Sequence, residues 1–81
     1  MGGNIELQRR IIEYMREYYT SSEKAKMLPP SPDTLIQVLC IEDRESLNAE
    51  INHLIEERLV MTVSFHNWLD FTELGYETFI I

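Results

Sequence analysis

The chain has 81 residues and a formal net charge of −7 at pH 7. Its length predicts a single domain with a thin core, because a domain of this size buries only about 60–65% of its unfolded surface. Its apolar runs are all far shorter than the roughly 20 residues that span a bilayer, and the start of the sequence has neither a signal-peptide core nor a myristoylation motif. Its one cysteine fits a reducing compartment. We therefore expect a cytoplasmic protein without membrane association.

The charge is distributed unevenly along the chain. Residues 1–26 hold five cationic side chains and four acidic ones, which gives a net charge of +1. Residues 27–81 hold ten acids against two cations, Arg44 and Arg58, which gives −8. The two parts are therefore expected to present different electrostatic potentials to any partner.

The first predicted element is an amphipathic helix over residues 5–20. An apolar stripe at helical spacing is formed by Leu7, Ile11, Met15 and Tyr18 and is widened by Ile12, Tyr14 and Tyr19. This broad face suits either a central core helix or a helix that also carries a dimer surface, where tyrosine is favoured. The apolar end of the sequence is expected to contribute to the same surface. The candidate dimer residues are Tyr14, Tyr18, Tyr19, Phe79, Ile80 and Ile81.

A polar stretch that closes on three prolines, TSSEKAKMLPPSP, separates the first helix from the second. Ser31 is suited to cap a helix and Pro32 to occupy its first position, so a helix is predicted over about residues 32–40. Cys40 ends this apolar segment, and we expect it to be a small buried side chain.

A third helix is predicted over residues 43–58, with Asp43 as its N-cap. Its apolar side carries leucine and isoleucine at helical spacing. At about 100° per residue, the outward positions are Glu45, Ser46, Ala49, Asn52, His53 and Glu56. This acidic face is either a solubilising surface or a docking surface for a basic partner.

After Arg58 the apolar residues no longer follow the helical spacing of about 3.6 residues and instead follow the two-residue alternation of a β-strand. In LVMTVSF, successive side chains would point to opposite faces of a strand, and the segment is rich in β-branched residues. HN is suited to a tight turn, and WLDF would form the second, antiparallel strand. A hairpin is therefore predicted over about residues 59–71. In this arrangement Phe65 faces Trp68 across the hairpin. A last short helix is predicted over about residues 73–80, with Thr72 as its N-cap.

The tip of the predicted hairpin carries no Lys or Arg and consists of Phe65, His66, Asn67 and Trp68. The Trp68 ring either folds over the edge of the core or serves as an exposed anchor at a protein interface, where tryptophan is over-represented.

The order of these elements resembles a winged-helix domain. The resemblance is carried by SPDTLIQVL, RESLNAEINHLIEERLV, the hairpin and FTELG, over about residues 31–78. LIEERLV is similar to the Leu-x-x-x-Gly-Leu-Val that closes the third helix of many such proteins, with Arg58 in place of the glycine. FTELG is similar to the Leu-Thr-x-x-Gly that follows their wing. The resemblance implies an α+β, mainly α fold with a three-helix core, a two-stranded wing and a short C-terminal helix.

Winged helices serve as DNA readers, through the third helix and the wing, and also as protein–protein modules. DNA binding as a transcriptional regulator would require the third helix together with the N-terminal cations, which are Arg9, Arg10, Lys24 and Lys26. Phosphate neutralisation supplies most non-specific affinity for DNA, and the charge of −8 over residues 27–81 opposes it. We therefore expect a dimeric regulatory or protein-interaction module whose partner has a basic patch, with DNA binding as the alternative.

Catalysis has little support in the sequence. Glu50 and His53 have the Glu-x-x-His spacing of carboxylate-bridged metal sites, but such sites need two copies facing a bundle core, and both residues are expected to point outward. A phosphate-binding loop and a nucleophile motif are both lacking. A domain this small is expected to leave little room for a ligand pocket of about 300 Å³ or more. We therefore expect no enzyme, metal or cofactor, and a metal-dependent enzyme is the least favoured alternative.

Overall fold

The computed structural model describes residues 4–21, 27–63 and 68–81. Within these residues the chain forms four helices and one two-stranded antiparallel sheet. In chain order they are α1 (Ile5–Thr20), α2 (Pro32–Leu39), α3 (Arg44–Glu56), β1 (Val60–Val63), β2 (Trp68–Phe71) and α4 (Glu73–Phe79). This mainly helical α+β architecture confirms the predicted order of elements and is compatible with a winged-helix layout.

The N-caps predicted from the sequence all form. Ser31, Asp43 and Thr72 each accept a backbone hydrogen bond from the first turn of the helix that follows. The first N–H groups of a helix have no partner within the helix, so a side-chain acceptor at these positions fixes where α2, α3 and α4 begin.

One hydrophobic core lies between the helices and the inner face of the hairpin. The helices contribute Leu7, Ile11, Ile12, Met15, Leu35, Leu47, Ile51 and Leu54, and the strands contribute Val60, Leu69 and Phe71. Residues of α4 pack against the edge of this core and are partly buried. The hairpin is therefore held by the same core as the three longer helices.

The register of the hairpin differs from the predicted one. Val60 lies opposite Phe71, and Val63 lies opposite Trp68. The partner of Trp68 is therefore Val63 and not the predicted Phe65, which lies outside the described residues. At the base of the hairpin the pair of Val60 and Phe71 is buried, and burial of one face specifies the register of a strand pair.

The end of α3 adopts a Schellman motif without a glycine. Arg58 has a φ of 63°, in the left-handed region. Its N–H donates to the carbonyl oxygen of Ile55 at 2.9 Å, and the N–H of Leu59 donates to that of Leu54 at 3.1 Å. These are the two hydrogen bonds that define the motif. The backbone therefore has the conformation that favours glycine, at the position where the winged-helix pattern has glycine.

The end of α2 is also left-handed, at Cys40, whose φ is 53°. The N–H of Ile41 donates to the carbonyl oxygen of Ile36 at 3.1 Å and closes this turn. The predicted burial of Cys40 is wrong, because its side chain is exposed. The left-handed backbone takes residue 40 off the apolar stripe of the helix that precedes it.

Four residues, Arg58, Leu59, Thr72 and Gly75, connect α4 to the turn after α3, and we call them the Leu59 junction. The N–H of Thr72 donates to the Leu59 carbonyl oxygen at 3.2 Å, and its hydroxyl donates to the Arg58 carbonyl. The same hydroxyl accepts the N–H of Gly75 at 3.0 Å. A Cβ on Gly75 would overlap the Leu59 carbonyl oxygen and would lie 2.9 Å from the carbonyl carbon. Only glycine therefore allows α4 to approach this closely.

We expect Gly75→Ala to lower the free energy of unfolding by about 1–3 kcal/mol, the usual cost of forcing extra atoms into a packed site. In an open helix the same substitution would stabilise by about 0.5–1 kcal/mol. A loss of stability, rather than a gain, would therefore show that the added Cβ meets the Leu59 carbonyl. Urea denaturation gives the value. The control is Glu77→Ala, at an exposed position of α4, with an expected change within about 0.5 kcal/mol. A Gly75→Ala variant as stable as the parent would contradict the contact.

We expect Arg58→Gly to raise the free energy of unfolding by about 0.5–1 kcal/mol. Glycine removes a left-handed strain of about 1–2 kcal/mol, and its greater freedom in the unfolded chain offsets part of that gain. Arg58→Ala keeps the Cβ and the strain, so it should give no gain. Urea denaturation of both variants makes the comparison, and equal stabilities would contradict the prediction by showing that the left-handed strain is no larger than the cost of glycine's freedom in the unfolded chain.

Candidate functional site

The outer side of α3 is exposed and acidic. It carries Glu45, Ser46, Ala49, Asn52 and Glu56 as exposed residues and His53 as a half-buried one. We call these six residues the acidic face. Their outward orientation is the one that the helical spacing predicts.

The beginning of α3 holds a further carboxylate close to this face. Asp43 accepts the N–H of Glu45 at 3.0 Å and the hydroxyl of Ser46 at 2.8 Å. The hydrogen bonds from Ser46 hold the pKa of Asp43 below its usual value. Asp43 is therefore charged at neutral pH and positions the Ser46 side chain.

Two arginines near the ends of α2 and α3 are engaged within the chain. Arg44 lies 2.5 Å from Asp33, between Nη2 and Oδ1. Arg10 donates from Nη2 to the carbonyl oxygen of Leu39 at 2.5 Å. This places a positive charge at the negative end of α2, where it stabilises the helix. The charge of Arg44 is therefore balanced by Asp33, whereas Arg10 keeps its charge and is held at the end of α2 by a neutral acceptor.

On α1, Arg9 lies between two carboxylates. Its Nη2 is 2.8 Å from Glu6, and its Nη1 is 3.6 Å from Glu13. The hydrogen bond with Glu6 raises the pKa of Arg9, and Arg9 in turn lowers the pKa of Glu6. Exposed pairs of this kind are weak, but they surround this cation with negative charge. The other two cations of the DNA alternative, Lys24 and Lys26, lie outside the described residues.

Glu50 does not belong to the outer surface. Its exposed fraction is 7%, and it accepts a hydrogen bond from Nε2 of Gln8 at 2.7 Å across the α1–α3 contact. The predicted outward pairing of Glu50 with His53 is therefore wrong. Position 50 follows Leu47 by three residues on the buried stripe, and this spacing could have identified it. His53 instead lies 3.5 Å from Glu57, one turn along the helix.

The tyrosines of the predicted dimer surface make contacts within the chain. The Tyr14 hydroxyl donates to the carbonyl oxygen of Leu28, and the Tyr19 hydroxyl donates to that of Leu69, each at 2.6 Å. Tyr18 packs edge-on against the Tyr19 ring. Burial raises the pKa of Tyr19 to about 12, so this phenol is a neutral donor at physiological pH.

The C-terminal residues of the predicted dimer surface differ in their burial. Phe79 and Ile80 are partly buried against the core, whereas Ile81 is 85% exposed. An open groove of about 610 Å³ runs between α1 and these residues. Self-association through this region stays a prediction.

Trp68 opens β2 and is 41% exposed. By the strand register it shares the outer face of the hairpin with Met61, Val63 and Asp70. The other predicted wing residues, Phe65, His66 and Asn67, lie outside the described residues.

The described residues also leave open grooves on the surface. A second open groove, of about 680 Å³, lies between the ends of α3 and β1 and the beginning of α4. In the part of the chain that the structure describes, no three His, Cys, Asp or Glu side chains come together as metal ligands would. Across the same residues, no helix combines the length and the apolar character needed to cross a membrane.

We expect the stability of the domain to fall in acid through Asp43. Because its folded pKa is lowered, its contribution is present above the ordinary Asp pKa of about 3.9 and is lost as pH falls through the folded pKa. Asp43→Asn keeps a capping oxygen but does not titrate. The stability advantage of the parent over this variant should therefore be constant near neutral pH and shrink as pH falls below about 4, as followed by urea denaturation. An advantage that is constant with pH would contradict this account. Asp43→Ala is the control that loses the cap at every pH.

Comparison with known proteins finds no relative of the chain: no protein-family model, no curated protein and no solved structure matches it.

Proposed function

We propose that the chain is a non-enzymatic winged-helix module that binds a basic partner protein through the acidic face of α3. The observation that carries this proposal is the distribution of charge. Glu45 and Glu56 are exposed on the acidic face, whereas Arg44 at the start of the same helix is already paired with Asp33. The face therefore presents negative charge that the chain does not neutralise.

The winged-helix assignment is supported by two details of the fold. The left-handed residue Arg58 ends α3 where the winged-helix pattern has glycine. The Thr72 cap and the close approach of Gly75 to Leu59 account for the Thr-x-x-Gly that follows the wing in that pattern. Both details concern backbone geometry and agree with the order of elements.

The charges oppose DNA as the main partner. A DNA-binding protein typically makes about 6–10 phosphate contacts through cations. Residues 27–81 contain only Arg44 and Arg58 as fixed cations, and Arg44 is paired. Glu45 and Glu56 would lie beside the phosphates if α3 entered the major groove, where they would be repelled. The same charges would attract a basic protein surface and accelerate its association.

The acidic face also has a shape suited to a protein surface. Ser46, Ala49 and Asn52 follow one another at three-residue intervals and form a small, uncharged strip. Glu45 and Glu56 lie at its two ends, about 16 Å apart along the helix axis at 1.5 Å per residue. A partner with cations at about this separation and a small or flat surface between them would complement both features.

DNA binding is the second candidate function. It is favoured by the exposed amide of Asn52 on the acidic face, because the amide of asparagine or glutamine can pair with adenine in the major groove.

A DNA titration distinguishes the two candidates. Fluorescent duplex DNA is titrated at about 50 mM salt, where phosphate contacts are strongest. We expect no sub-micromolar binding by the parent and tighter binding by the double variant Glu45→Lys with Glu56→Lys. The control is Glu73→Lys with Glu77→Lys, which changes the net charge equally on α4 and should gain less. Sub-micromolar binding by the parent would replace the proposed function with the DNA candidate.

A second arm of this experiment tests the attraction of the acidic face for basic protein. The probe is a helical Ala/Lys peptide whose lysines are about 16 Å apart. We expect it to shift the amide resonances of α3 in NMR spectra, and we expect the variant with Lys at positions 45 and 56 to lose the effect. Shifts spread evenly over the surface would contradict a defined acidic face.

A further inference from the structure

The two outer edges of the hairpin differ in their hydrogen bonding. On β2, the N–H of Leu69 donates to the carbonyl oxygen of Pro30 at 2.8 Å. The carbonyl oxygen of Leu69 accepts the hydroxyl of Tyr19 at 2.6 Å. This edge is therefore covered by the chain itself.

The outer edge of β1 is open. Thr62 lies opposite Leu69, and opposed residues of an antiparallel pair alternate between hydrogen-bonded and non-hydrogen-bonded pairs. Because the N–H of Leu69 points away from β1, Thr62 and Leu69 are a non-hydrogen-bonded pair. The N–H and C=O of Thr62 thus point away from β2 as well. Thr62 is exposed, and no group in the described residues bonds to its outward N–H or C=O.

The groove at the beginning of β1 is lined by apolar side chains and has more acidic than basic groups. Met61 is 41% exposed on the outer face of the hairpin, and Leu74 of α4 is 49% exposed. Both line the groove at the beginning of β1, together with the carboxylates Glu73 and Glu77 and one cation, Arg58, so acids outnumber cations there by two to one. These two acids lie one turn apart on α4, are exposed, and have no ion pair with any residue that the structure describes.

We propose that the edge of β1 binds an extended segment of a partner protein, which adds a third strand to the hairpin. The outward N–H and C=O of Thr62 supply the main-chain hydrogen bonds, as in other cases of strand addition. Alternate side chains of the segment are apolar and pack near Met61 and Leu74, and basic side chains approach Glu73 and Glu77. This site is separate from the acidic face and rests on different observations.

Charge favours such a segment over a second copy of the chain. Pairing of β1 with β1 of another copy would bring together two chains that each carry a net charge of −7. Repulsion between like charges opposes that pairing. A segment with lysine or arginine at every second position meets the opposite charge instead.

The test uses an eight-residue peptide that alternates lysine and valine, with blocked ends, and a matched peptide that alternates glutamate and valine. We expect the basic peptide to shift the amide resonances of residues 60–63 and to slow hydrogen exchange at Thr62, and the acidic peptide to do neither. The variant Glu73→Gln with Glu77→Gln should weaken the binding several-fold. Glu45→Gln with Glu56→Gln has the same change of charge on the acidic face and should not.

Thr62→Pro removes the outward N–H and is expected to weaken peptide binding about tenfold or more. Proline is tolerated where a strand N–H faces solvent, and unchanged circular dichroism will show that the variant is folded. Thr62→Val keeps the N–H and should bind within about twofold of the parent. Equal binding by Thr62→Pro, or shifts confined to α3, would overturn the proposal. A dimer in sedimentation that Thr62→Pro abolishes would also overturn it, because the edge would then belong to a second copy.

Discussion

The carbonyl group of Leu59 is where the helical part of the chain meets the hairpin and α4. The N–H of Leu59 closes the Schellman motif of α3 by donating to the Leu54 carbonyl oxygen. The Leu59 carbonyl oxygen accepts the N–H of Thr72 and lies against Gly75. The direction in which β1 leaves α3 and the position of α4 both follow from these contacts. The acidic face and the open edge of β1 are therefore held in a fixed relation by one short turn.

Local signals made the fold predictable from the sequence. Ser31, Asp43 and Thr72 act on N–H groups within three residues of themselves, so their roles can be identified without knowing what surrounds them. The change of period after Arg58 is equally local. The candidate acidic face was predictable for the same reason, because one helix and its apolar stripe determine which residues point outward.

Several features that were not predicted depend on contacts between distant residues. The spacing from Leu47 indicates that position 50 is buried, but the partner that makes a buried carboxylate acceptable there, the amide of Gln8, lies 42 positions away. The register of the hairpin places Val60 opposite Phe71, and both side chains are buried in a core that is built mostly by distant helices. The open edge of β1 is recognisable only because the loop before α2 covers the opposite edge through the carbonyl of Pro30. Nothing within the LVMTVSF segment indicates that the outer edge of β1 is open while that of β2 is covered.

Native-state hydrogen exchange at the Leu59 junction tests the central claim of this account most directly. The amides to follow are those of Leu59, Thr72 and Gly75, whose acceptors are the Leu54 carbonyl, the Leu59 carbonyl and the Thr72 hydroxyl. If the Leu59 junction unfolds together with the core, these amides will exchange only through global unfolding, with the same opening free energy as amides in the buried part of α3. Exchange of all three through a smaller local opening, while α3 stays protected, would contradict the account.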